Sequence, residues 1–546
     1  MEIVTVLLIL WLAVIASSVL TRLARGILPL PLVQIALGAL LALLLDLRIS
    51  LAPPVFFLLF LAPLLFLDGW RIPKEGLSRD RWTILALAFG LVLFTVAGAG
   101  LFIHWMIPSM PLAVGFALAA VLSPTDAVAV AAIAARTPIP KRLMAILAGE
   151  SLLNDASGLV CLRFATAAAL TGGFSLAAAS LSFLWLAIGG IAIGTLVALL
   201  ANATKDWAAR HLGEETGSQI LISLLIPFGA YIAADRLGTS GILASVAAGI
   251  VMSYEERSGR ATAVTRVGRA AVWDALQFTS NGVIFVLLGQ QLPGILAGAG
   301  HAIHEAGHEH EVWLAVYVVA ISLVLVLLRS LWAWATLRLI LLRAARSGRR
   351  SSPQHWRLVA VTSLAGVRGA VTLAGVMTLP LALANGASFP TRDLAIFLAA
   401  GVILVTLLTA NFALPYLVKG LEVPDEGQVG QTADEARLAA ARAAIAAMQR
   451  VMHDLHREGP DAKLYGQAAS RIMAQYQQQI DVHLNIDVPH QQESNVGEIE
   501  RRLHVLALGA ERHELYRIAR AGKLSEELTR ALVREIDLQE SRFSAP

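Results

Sequence analysis

The chain has 546 residues, of which 57% are hydrophobic and only 15% charged, with 11 Trp and 43 Gly, and a mean hydropathy of +0.67. No soluble domain of this size hides so much apolar surface in a core, and the same figures exclude disorder, a coiled coil and a disulfide scaffold. The sole cysteine, Cys161, leaves no internal disulfide and no zinc-finger cluster. This is the composition of a polytopic membrane protein.

Charge is unevenly spread. Residues 1–420 carry 28 Lys+Arg and 19 Asp+Glu, whereas residues 421–546 carry 15 and 20 in less than a third of that length. The break falls near Gly420, in the polar stretch Glu422–Gln431, and divides a transmembrane part, 1–420, from a C-terminal domain, 421–546. The pI near 9.3 is not a nucleic-acid signal, because the basic excess lies in short loops between apolar runs.

Thirteen apolar runs are long enough for about 30 Å of hydrocarbon: 3–21, 27–45, 52–67, 82–104, 111–135, 142–170, 176–204, 218–235, 239–253, 271–290, 312–340, 357–384 and 392–418. The first lacks a basic leader and a small-residue cleavage site, so it reads as a retained helix. Loops on one side, with Lys419 after the last run, hold 22 Lys+Arg, and those on the other hold only Arg48, Arg236 and Arg392. By the positive-inside rule the N-terminus is outside, the C-terminal domain is cytoplasmic, and the chain sits in the cell (inner) membrane. Three bases (Arg163, Arg329, Arg368) and three acids (Asp126, Glu150, Asp155) then fall inside runs. Charges there face a water-filled cavity or one another, or, for the long Arg163 and Arg329, snorkel to the interface.

Run five reads L-S-P-T-D-A-V-A-V from Leu122. Pro124 removes a backbone donor and clashes with the preceding turn, so the helix breaks there. Free backbone groups at membrane depth are tolerated only along a cavity, and Thr125 and Asp126 follow at once. Run six reads G-E-S-L-L-N-D-A-S-G from Gly149, which sets Glu150, Ser151, Asn154 and Asp155 on one broad helical face. This oxygen-rich surface has no thiolate or imidazole, so it suits Na⁺, K⁺ or a proton better than zinc, copper or iron. Run twelve, from Thr362, places Gly366, Gly369 and Gly375 around Arg368. Thirteen runs divide as six, one and six, so runs five and twelve correspond, and interrupted helices at matching positions of two inverted halves point to a transport site.

S-P-T-D-A-V-A-V, G-E-S-L-L-N-D, G-A-Y-I-A-A-D-R-L-G-T-S-G-I-L-A and G-V-R-G-A-V closely resemble the cation:proton antiporter-1 family, the Na⁺/H⁺ exchangers, over about residues 1–420. The resemblance implies an all-α homodimer of thirteen-helix protomers with a dimerisation domain and a mobile core working as an elevator. It makes Asp155 the carboxylate that alternately binds cation and proton, with Asp126, Thr125 and Ser151 supplying further oxygens to Na⁺ (or Li⁺ or K⁺). Asn154 would bridge to the break in run five, and Glu150 would pair with Arg368. No cofactor is implied, and exchange is expected to be electroneutral, because Asp155 alone titrates while an arginine cannot lose its proton.

Two enzyme motifs compete. His304-Glu305-Ala306-Gly307-His308 fits the H-E-x-x-H of zinc proteases, but in a polar external loop with glycine in mid-turn and no third ligand. With His301 and His310 it could instead bind metal adventitiously or sense pH. Gly238-Thr239-Ser240-Gly241 fits an intramembrane serine-protease signature, yet only His104 could serve as base, and a helix start explains it better. A cation channel is disfavoured by the lack of a filter-like loop. The C-terminal segment reads as four helices, near 431–457, 461–482, 494–520 and 524–541, forming a small bundle with a regulatory or dimer-supporting role.

Overall fold

The computed structural model describes residues 2–23, 28–45, 53–72, 84–126, 130, 141–171, 176–213, 215–256, 261–300, 303, 310, 312–346, 355–383, 387–419, 433–455, 462–483 and 497–543. Every regular element among them is helical. In chain order these are α1 (Glu2–Leu23), α2 (Leu30–Leu45), α3 (Pro53–Phe56, a π-helical turn Phe57–Leu61, then Ala62–Arg71) and α4 (a π-helical turn Ala86–Leu91, then Val92–Met106). Next come α5 (Leu112–Leu122), α6 (Lys141–Thr171), α7 (Leu176–Leu212), α8 (Thr216–Arg236), α9 (Gly241–Glu256), α10 (Ala263–Ala297) and α11 (Val312–Arg346). The half-helices α12 (His355–Leu364) and α13 (Ala370–Met377) and the long α14 (Arg392–Val418) follow. The C-terminal set is α15 (Ala433–Leu455), α16 (Ala462–His483), α17 (Gly497–Arg520) and α18 (Glu526–Phe543). Among the described residues nine helices are long and apolar enough to cross a membrane, and α2 and α5 are shorter apolar helices.

The apolar runs predict most of these helices, but several extend beyond hydrophobic sequence into charged ends. α10 begins at Ala263, so Arg266 and Arg269 lie on its first turns, buried to 5% and 2% exposure, instead of in a loop. Gly238-Thr239-Ser240-Gly241 is a helix start: Gly238 takes φ +66°, and the Ser240 hydroxyl accepts from the Leu243 N–H at 3.3 Å.

α5 is apolar all round, and past its first turns it is enclosed on all sides, as such a helix must be. Its residues from Ala117 to Leu122 are at most 3% exposed, in a core shared with α4, α6, α11, α13 and α14. A second cluster joins α3, α7, α8, α9 and α10 around Phe66, Trp70 and Trp273.

Two of the tightest helix crossings are glycine-faced from both sides. Where α2 crosses α10, a Cβ on Gly38 would lie 2.0 Å from the Val286 carbonyl, and one on Gly289 would lie 1.9 Å from the Ile35 carbonyl. Where α9 crosses α3, a Cβ on Gly249 would lie 2.0 Å from the Phe66 carbonyl, and one on Gly69 2.6 Å from that of Val246. In all four cases the carbonyl belongs to the residue three before the facing glycine, so both crossings use one register. Gly249→Ala should therefore force α3 and α9 apart, at a cost of about 1–3 kcal/mol. Gly294→Ala, where a Cβ meets open space, is the control. Melting of the detergent-solubilised protein should fall for the first variant only.

The four C-terminal helices pack around two apolar clusters, one holding Leu515, Leu532 and Ile536, the other Met448, Ile472 and Leu503. Between them lies a cavity of about 340 Å³ lined by Glu511, Arg437, Glu535 and Gln539 among apolar neighbours. Burial pushes the Glu511 carboxyl up from 4.5 to about 7, against the opposing effect of a hydrogen bond from Tyr476. Folding thus keeps on Glu511 a proton that the unfolded chain releases, and the stability this group contributes is full below about pH 4.5 and is lost as pH rises through about 7. Melting of the intact protein should drop between pH 5 and pH 7.5, and Glu511→Gln should remove that part of the drop.

Candidate cation site

The site is built where two broken helices meet. Pro124 ends α5, and the chain runs non-helically through Thr125 and Asp126. Between α12 and α13 the chain is likewise open over 365–369. The two openings join through a backbone hydrogen bond, Asp126 N–H to the Val367 carbonyl, at 2.7 Å. A Cβ at position 369 would lie 1.9 Å from Asp126 Oδ2, so only glycine lets that carboxylate rest against the N-cap of α13. The positive end of the α13 dipole favours a negative charge there.

α6 supplies the facing wall. The Asn154 Nδ2 donates to Thr125 Oγ1 at 2.9 Å, and the Ser151 hydroxyl donates to the Thr125 carbonyl at 2.7 Å. Thr125 Oγ1 in turn donates to Glu150 Oε1 at 3.4 Å. Thr125, Glu150, Asn154 and Asp155 are all buried, while Asp126 and Ser151 are half-buried. Thr125, Asp126, Ser151 and Asp155 line one cavity of about 50 Å³, enough for a few waters or a partly hydrated monovalent ion.

The same cavity is lined from the other side by Asp68 of α3, Asn281 and Phe285 of α10, and Thr372 of α13. Sequence reasoning missed these. Asp68 sits one residue past the apolar run 52–67 and reads as interfacial, but α3 continues to Arg71. That helix end is held by Arg71, which donates to Asp274 Oδ1 at 2.5 Å and to Gln277 Oε1 at 2.8 Å, both on α10. Asn281 and Thr372 are neutral and carry no signal in an apolar run.

The expected pairing of Glu150 with Arg368 is corrected. Glu150, 0% exposed, is clasped by Arg329 of α11, 2% exposed, through both guanidinium Nη atoms, Nη2 to Oε2 at 2.8 Å. Arg329 Nε also donates to the Thr362 carbonyl at 2.8 Å, near the end of α12. Arg368 instead serves the backbone. Its Nε donates to the Leu122 carbonyl at 2.9 Å and its Nη1 to the Gly366 carbonyl. These carbonyls lie at the C-terminal ends of two half-helices, where the backbone concentrates negative partial charge that a cation offsets. The physical reason for the difference is reach: the backbone ends beside Arg368 take its donors, and Arg329 approaches Glu150 from a neighbouring helix.

Arg163 is exposed on α6 and takes no part in the site. His310 is exposed, and His301, His304 and His308 lie outside the described residues. His104 donates from Nδ1 to the Met110 carbonyl at 2.8 Å.

Arg329→Met should strand a buried carboxylate, at a typical cost of about 3–5 kcal/mol. Adding Glu150→Gln should recover most of the lost melting temperature in detergent, and a double variant as unstable as the single would contradict the pairing.

Residues 6–420 match the family described as sodium/hydrogen exchanger, transmembrane. The chain is 40% identical over 547 residues, covering 99% of each sequence, to an Escherichia coli K12 protein named as the uncharacterized Na⁺/H⁺ exchanger YjcE. It is 36% identical over 552 residues, 100% of this chain and 79% of the other, to the sodium, potassium, lithium and rubidium/H⁺ antiporter of Bacillus subtilis. The sodium proton antiporter MjNhaP1 of Methanocaldococcus jannaschii superposes with a TM-score of 0.55 at 19% identity over 77% of this chain and 99% of that one, a likeness of fold. With more than two thirds of its length matched by one family of transporters, the chain belongs to the sodium/hydrogen exchangers and is not an enzyme.

Proposed function

We propose that the protein is a secondary active antiporter that exchanges a monovalent cation, Na⁺ or else Li⁺ or K⁺, for a proton across the cell membrane. The observation that carries this reading is the buried Asp155 carboxylate in a cavity walled by two helix breaks and by the oxygens of Thr125, Asp126 and Ser151. Oxygen donors in a small cavity suit a hard cation, and a carboxylate that trades it for a proton couples the two fluxes. The names of the relatives in Escherichia coli and Bacillus subtilis agree with this cation class.

Thirteen crossings in two inverted halves follow the same logic. The break after α5 has its counterpart between α12 and α13, and the shared register of the α2–α10 and α9–α3 crossings is what an inverted pair of repeats would give. Asp68 and Asn281 face the cavity from α3 and α10, opposite the breaks and α6, and in this reading the cavity lies on a seam. A seam is where an elevator would slide. A homodimer is part of this reading, as are an external N-terminus and a cytoplasmic C-terminal domain, residues 421–546.

Exchange is one proton for one cation. Arg329 and Glu150 cancel, Asp126 is held charged at the start of α13 and balances Arg368, Asp68 keeps one state throughout the cycle, and Asp155 alone changes state. In proteoliposomes with a pH-sensitive dye, Asp155→Asn should abolish Na⁺-driven proton movement, because an amide cannot cycle between protonated and cation-bound forms. Clamping the membrane potential with K⁺ and valinomycin should leave the wild-type rate unchanged. Near-normal exchange by Asp155→Asn would sink the site, and a voltage-driven rate would mean that Asp68 or Asp126 titrates as well.

A further inference from the structure

The C-terminal helices are fastened to the transmembrane part at a specific point. Asp537 of α18 receives Arg266 of α10, 271 residues away in sequence, through Nε to Oδ2 at 3.0 Å and through Nη2 to Oδ1. The two side chains are only 4% and 6% exposed. Arg512 of α17 stands 3.3 Å from the same Asp537 and also pairs with Glu540 of α18. Two guanidinium groups and two carboxylates therefore close a neutral cluster away from water. Such a cluster is poor general glue, since desolvation offsets much of its attraction, but the two-pronged contact of Arg266 with Asp537 adds geometric specificity.

α10 carries that geometry to the cation cavity. Its Asn281 and Phe285 line the cavity wall, and Arg266 lies fifteen residues earlier on the same helix, about 22 Å along the axis at 1.5 Å per residue. No proline or glycine break falls between Gly268 and Asn281. Further along, Gly289 locks α10 against α2 at backbone contact. The helix is a rod pinned at one end by the C-terminal domain and at the other by α2, with the cavity wall between.

We propose that Arg266 is a positioning residue for exchange: gripped by Asp537, it holds α10 at the setting in which Asn281 completes the cation cavity, so the C-terminal domain tunes cation affinity through this contact. The inference rests on the antiporter reading of the cavity. A purely structural tether would change the amount of folded protein and leave the affinity of the folded fraction alone.

The test is Na⁺-dependent proton exchange by the full-length chain in proteoliposomes, with reconstituted protein matched by quantity and melting temperature. Arg266→Gln and Asp537→Asn should each raise the apparent KM for Na⁺ by about fivefold or more, the lower end of a typical coupling between sites, and should change kcat less. The double variant should resemble either single, because both remove one interaction. Arg266→Lys, which keeps the charge but not the two-pronged contact, should fold readily and give an intermediate KM. A KM unchanged in Arg266→Lys and in whichever neutral variant folds, or effects that add in the double variant, would overturn the proposal while leaving wild-type exchange intact. A wild-type chain that exchanges no cation would overturn the antiporter reading and this inference with it.

Discussion

Everything at the centre of this molecule depends on two interrupted helices finding each other. A helix that stops inside a membrane leaves carbonyl and amide groups that hydrocarbon cannot satisfy. Here the two openings satisfy one another, through the bond from Asp126 N–H to the Val367 carbonyl, and Arg368 gathers the remaining carbonyls at Leu122 and Gly366. The irregular backbone is thereby turned from a liability into a rigid polar platform. Asp126 and Thr125 stand on that platform because the chain leaves α5 at Pro124, and Asp155 faces it because α6 is bound to Thr125 by Asn154 and Ser151.

Two arginines divide the work of charge balance. Arg329 neutralises Glu150 side chain to side chain, whereas Arg368 neutralises helix ends. Both lie wholly inside the protein, each 2% exposed. Each buried guanidinium therefore has its own partners, and Thr125, Asp126, Ser151 and Asp155 are left to line the cavity.

Much of this was legible in the sequence, for identifiable reasons. Proline at membrane depth announces a break, four-residue spacing announces a shared helical face, and the positions of Thr125, Asp126, Ser151, Asn154 and Asp155 followed from those two rules. α14 matched its apolar run at both ends, and the C-terminal helices fell within a few residues of their expected limits. What was hidden had no local signature. The partner of Glu150 is 179 residues away, on a helix whose other residues say only that it is apolar. Asp68 lies just beyond a hydrophobic run, where composition ends but the helix does not. Arg266 and Arg269 counted as loop charges until the fold placed them on the buried first turns of α10.

The lone thiol acquires a use from where it lies. Cys161 is on α6, six residues beyond Asp155, half-buried and packed against the main apolar core. A maleimide or a spectroscopic label attached there would ride on the helix that carries Asp155, without a single introduced residue and with no competing site on the polypeptide. Native protein, purified as it is made by the cell, is thereby already a reporter of α6: its labelling rate in Na⁺ and in a sodium-free buffer reads the exposure of that helix directly.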